Sequence, residues 1–142
     1  MSITLSPPEK GTLLDKVVFH QQKASQAVAE ALTTLKKEWK LSDVDVASFL
    51  HISRTTVNHW LRANRVPVEP PGSFTPDTET VLHLLAIHRS LFAMFSSPVK
   101  QKAWLETRHP GLGEAPAVSM RRSVEGLIQI RRYLDYVRGR GA

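Results

Sequence analysis

The stretch Leu41–Pro67, LSDVDVASFLHISRTTVNHWLRANRVP, admits few arrangements. Ser42 and Ser53 each stand before a short segment of helix-compatible residues, and each hydroxyl can accept an N–H left over in a first helical turn. The spacing predicts two short helices joined by a tight turn. Ala47 supplies the small residue needed where they cross. Ile52, Val57, Trp60 and Leu61 give the second helix an apolar side. Behind Ser53, the residues Arg54, Thr55, Asn58, His59 and Arg62 share the opposite face. A row of Arg, Thr, Asn and His suits phosphates and the base edges of the DNA major groove. His51 occupies the turn, where positive φ often calls for Gly. Asp43 and Asp45 favour the first helix through its dipole but would repel nearby phosphates.

The 142-residue chain is long enough for one domain or two small modules with a shared core. No apolar run approaches the ~20 residues needed to cross a bilayer. MSITLSPPEK lacks the basic and apolar parts of a signal peptide. Cysteine is absent, which excludes disulfides and thiolate zinc sites and fits a reducing cytoplasm, the expected location. The net charge of +6 favours an acidic partner such as nucleic acid. That charge is uneven: Arg121–Ala142 holds six Arg against Glu125 and Asp135, which hints at a second partner surface.

Helical periodicity dominates on both sides of the central stretch. Ser6-Pro7-Pro8-Glu9 reads as a helix start. Apolar residues then recur from Leu14 to Trp39, consistent with one long helix or two broken near His20-Gln21. Their Ala-rich stripe is expected in the core or against a second copy. VPVEPPGSFTP is a linker or fixed loop and marks a boundary, giving modules 1–67 and 68–142. Thr75 and Pro76 start a helix apolar nearly all round (Val81, Leu82, Leu84, Leu85, Ile87, Leu91, Phe92, Met94, Phe95), expected to be centrally buried. Ser97-Pro98 starts a short helix that stops at TRHPGLG, and Pro116 opens another turn. The last helix is expected from about Ser123 to Val137, with Leu127, Ile130, Leu134 and Val137 inward. Gly139–Ala142 has no reason to be helical. The expected fold class is all-α.

Catalytic chemistry finds little footing. The six histidines form no i,i+4 pair, so no metal site is expected. Gly111-Leu112-Gly113 follows no strand and lacks the third Gly of a dinucleotide loop. No catalytic residue, no cofactor and no enzymatic activity are expected. Arg131, Arg132, Arg138 and Arg140, with Tyr133 and Tyr136, have the Arg-plus-aromatic composition enriched at interface hot spots.

Leu41–Pro67 resembles a helix-turn-helix of the Cro/repressor (Xre) type, with the second helix as recognition helix. Val81–Arg140 resembles the toxin-binding domain of Xre/MbcA/ParS antitoxins. The matching residues are Trp104-Leu105, His109-Pro110, Leu112-Gly113, Pro116, Gly126-Leu127, Arg131-Arg132-Tyr133-Leu134-Asp135 and Gly139. The chain departs from that pattern at Glu114, usually a second Gly, and at Arg108. The resemblance implies a type II antitoxin that binds a RES-type, NAD-consuming toxin. Its final helix and tail, with Arg131, Arg132, Tyr133, Tyr136, Arg138, Gly139 and Arg140, would block the toxin's active site. The helix-turn-helix half would form a homodimer and repress its own operon by binding operator DNA. The alternative is a stand-alone regulator whose second module dimerises or senses a ligand.

Overall fold

In the computed structural model, which describes residues 12–68 and 76–140, the chain is helical and shows no strand among those residues. The elements are α1 (Leu13–Glu38), α2 (Asp43–Leu50), α3 (Arg54–Ala63), α4 (Pro76–Met94), α5 (Pro98–Glu106), α6 (Pro116–Arg122) and α7 (Val124–Arg140). The all-α expectation is met.

The first helix is unbroken through His20-Gln21. It starts with Thr12, whose hydroxyl accepts from Asp15 N–H while the Asp15 carboxylate accepts from Thr12 N–H. This reciprocal pair satisfies two donors that a helix start leaves over. The starts read at Ser6-Pro7-Pro8-Glu9 and at Thr75 lie outside the described residues. Ala29, Leu32, Leu35 and Trp39 form the buried stripe of α1. Ser25 ties the chain beyond α3 back to it: its hydroxyl donates to Val66 O, and Val66 N–H donates to Ser25 O at 3.2 Å.

Ser42 and Ser53 cap α2 and α3 as the sequence predicts, accepting from Asp45 N–H and Thr56 N–H. Helices α1, α2 and α3 are followed by left-handed residues, Lys40, His51 and Asn64, none of them Gly. His51 sits at φ 58°, ψ 39°, and its Nε2 donates to Met120 O of α6 at 2.8 Å. The left-handed conformation costs an L-residue about 1–2 kcal/mol, while a hydrogen bond returns about 0.5–1.5 kcal/mol. His51→Gly should therefore leave stability nearly unchanged. His51→Ala keeps the strain and loses the bond, so chemical denaturation should place it roughly 1 kcal/mol below His51→Gly.

One contiguous core joins the two halves. Trp39, fully buried, donates from Nε1 to Oε1 of the buried Gln101 at 3.0 Å, and Gln101 Nε2 donates to Phe95 O. His88 of α4 meets the Trp39 ring edge-on at 5.2 Å and pairs with Glu38 at 2.8 Å. Arg121 of α6 lies over the Phe49 ring of α2, 4.5 Å from its centre. Thr78 Oγ1 donates to Pro67 O, which anchors the start of α4 beside the end of the first half.

Two expectations fail in instructive places. Helix α4 buries Val81, Leu84, Ile87 and Leu91 but leaves Phe92 58% and Met94 37% exposed. A helix needs only one apolar stripe for the core, and these residues lie off it. Helix α7 continues past Val137 through Gly139 to Arg140. Arg138 and Arg140 are good helix formers and their charge complements the helix C-terminus. Arg138 is also held, donating to Ser90 Oγ at 3.2 Å. One turn-pair earlier, Arg131 donates to His83 Nδ1 at 3.0 Å. The same offset in both contacts means α4 and α7 run parallel, so their C-terminal ends lie together.

Candidate DNA-binding and partner-binding surfaces

On the first surface, α3 exposes Arg54, Thr55, His59 and Arg62. Ser53 heads the helix, but its hydroxyl is committed to the cap and to Thr56 Oγ1. Asn58 is half-buried. Its Nδ2 donates to Asp43 Oδ2 at 3.0 Å, while Lys36 of α1 pairs with Asp43 Oδ1 at 2.9 Å. The Asn58 hydrogen bond, then Lys36, hold the Asp43 carboxyl below its ordinary range. The phosphate repulsion expected from Asp43 is thus largely cancelled by Lys36. A concave surface lined by Lys36, Ser42, Asp43, Val44, Arg54, Thr55 and Asn58 results.

The second surface is built on α7 and on the loop between α5 and α6. Trp104 stacks on His109 at 4.7 Å and faces Tyr133 at 6.3 Å in a near-parallel arrangement. His109 Nε2 donates to Trp104 O. A Cβ at Gly111 would touch the hydroxyl edge of Tyr133 at 3.6 Å, and Gly113 takes φ 76°, a turn that a side chain would strain. Tyr133 is therefore half-buried as an anchor for this loop. Glu114 receives both terminal nitrogens of Arg122 and the Ser119 hydroxyl. This bidentate pair, with Ser119, lowers the Glu114 carboxyl to about 2. A carboxylate with a depressed folded pKa contributes stability above its unfolded value of 4.5, lost as pH falls toward about 2. The melting-temperature gap between the native chain and Glu114→Gln should close over that window.

The predicted partner residues divide by environment. Arg132 and Tyr136 are exposed, Tyr136 at 59%. Arg131 is half-buried between His83 and Asp135. Burial, then the Arg131 charge, push the His83 imidazole below its usual range, so it stays neutral and Nδ1 accepts. Arg138 is exposed but anchored at Ser90, and Gly139 is open to solvent. Arg140 is the last helical residue. Phe92 and Met94, two and four residues past Ser90, add exposed apolar surface at this same end. Sequence reasoning had assigned both to the core. The surplus of apolar residues in α4 over one stripe was the available signal.

Residues 90–140 match the family model of the antitoxin Xre/MbcA/ParS C-terminal toxin-binding domain. The match supports an antitoxin of a toxin–antitoxin system, with a toxin as partner. No curated protein matches the chain. Within the matched stretch, Trp104, His109, Gly113 and Tyr133 hold the loop, and Glu114 bridges it to α6. Among the described residues, no helix is long and apolar enough to cross a membrane, and no three His, Asp or Glu converge on a metal position.

Proposed function

We propose that this chain is a type II antitoxin that neutralises an NAD-consuming RES-type toxin by covering its active site with the C-terminal end of α7. The observation that carries this reading is the toxin-binding domain match over residues 90–140. The α7 end that carries Arg138, with Phe92, Met94 and Tyr136 exposed near it, supplies the apolar and cationic area a partner interface needs. Through α3, the same chain binds operator DNA as a homodimer and represses its operon. Exposed Arg54, Thr55, His59 and Arg62 support that second activity. A single buried core with members from both halves of the described chain supports their acting together.

Co-expression with a RES-type toxin tests the reading. The full chain should restore growth, and a chain lacking residues 138–142 should not. Rescue by the truncated chain, at equal protein level, would exclude the tail as the blocking element. Rescue by neither would favour the stand-alone regulator.

A further inference from the structure

We propose that Asp43 is a positioning residue that orients the Asn58 amide to read one adenine in the major groove. The inference rests on the DNA-binding reading of α3. Asn58 is the fifth residue of α3, on the face that carries Arg54, Thr55, His59 and Arg62. Its Nδ2 donates to Asp43 Oδ2 at 3.0 Å. The ionised carboxylate carries no proton and only accepts, so the amide cannot be turned over there. Lys36 of α1 pairs with the other oxygen at 2.9 Å, away from the Asn58 contact. One N–H of Asn58 is spent on this contact. A second N–H and Oδ1 remain, one donor and one acceptor on a side chain that is only half-buried.

Adenine presents the complement: N7 accepts and the N6 amino group donates. Guanine presents two acceptors at that edge, N7 and O6, and would set O6 against Oδ1. Cytosine offers a donor to Oδ1 but leaves the N–H unmet. A freely rotating amide loses entropy and can present either end. An amide clamped by Asp43 is already oriented, so little of the contact is spent on ordering it. Asp43, which the sequence marks as a repulsive charge at the DNA surface, thereby becomes part of the reading apparatus.

The test is selection from a random duplex pool by the full chain, followed by sequencing, for the native protein and for D43N, N58A and K36M. The native chain should enrich a motif containing a preferred adenine. D43N, nearly isosteric but able to donate as well as accept, should lose the preference at that one position by about tenfold, the scale of one bidentate base contact. N58A should lose it at the same position. K36M leaves the carboxylate and Asn58 in place and should weaken binding evenly while keeping the adenine. Unchanged preference in D43N or in N58A would overturn the assignment, as would a loss spread over every position of the motif. Far-UV circular dichroism checks that each variant is folded. Should D43N lose helicity, D43A replaces it: it removes the clamp without adding a donor and should lose the adenine preference at the same position, and an unchanged preference in a folded D43A would overturn the assignment. A native chain that enriches no motif would instead remove the DNA-binding reading itself.

Discussion

Trp39→Ala is expected to lower the free energy of unfolding by about 3–5 kcal/mol, the range for emptying a buried aromatic site. Trp39 is fully buried where α1 ends, and its ring meets His88 of α4 while Nε1 bonds Gln101 of α5. Removing it opens a cavity and strands the Gln101 oxygen, which has no exposure to water. An unsatisfied buried acceptor costs about 1–3 kcal/mol by itself. Trp39→Phe separates the two effects, because it keeps much of the ring volume and loses only the donor. It should fall between the native chain and Trp39→Ala. Since small domains hold only about 5–15 kcal/mol in all, the alanine variant should melt both halves in one transition at much lower denaturant. A far-UV circular dichroism transition that stays within about 1 kcal/mol of native would contradict a core shared across the chain.

Gly126→Ala carries the second large effect. A Cβ at this position would lie 1.8 Å from Ser119 O and 2.7 Å from Ser119 C, both backbone atoms that cannot step aside. The turn from α6 into α7 is this tight because Ser123 separates them and its Oγ accepts from Gly126 N–H at 2.9 Å. Helices α6 and α7 would have to part, costing about 3 kcal/mol or more. Gly139→Ala is the matched comparison. It lies in the same helix with nothing within 4 Å of its Cβ position. There the change should be neutral or stabilising by up to ~1 kcal/mol, the ordinary gain of Ala over Gly in a helix. Thermal melts of the pair separate a packing requirement from helix propensity. Equal shifts in the two variants would mean that the α6–α7 contact does not constrain Gly126.

What could be read from the sequence was mostly local. Ser42, Ser53 and Ser97 cap their helices as expected, because a cap is decided within three or four residues. His51 in the left-handed turn was legible for the same reason. The long-range pairs were not. Trp39 and Gln101 lie 62 positions apart, and nothing in either segment marks the other. Phe92 illustrates a different limit. An all-apolar helix pattern does not say which side meets the core, so Phe92 and Met94 looked interior although they are exposed. The candidate surfaces behaved alike. The polar face of α3 followed from spacing, whereas the Asp43 clamp on Asn58 required knowing how α2 crosses α3. On α7, the positions of Arg131, Tyr133 and Arg138 were visible as a basic, aromatic pattern. Their engagement with His83, Trp104 and Ser90 belongs to packing between helices.

The most direct measurement of the central claim is the cellular NAD level after induction of a RES-type toxin, with and without this chain. Toxin alone should deplete NAD, and co-expression of the full chain should hold it at the uninduced level. NAD falling equally in both cultures, with the chain present at stoichiometric amount, would contradict the antitoxin account.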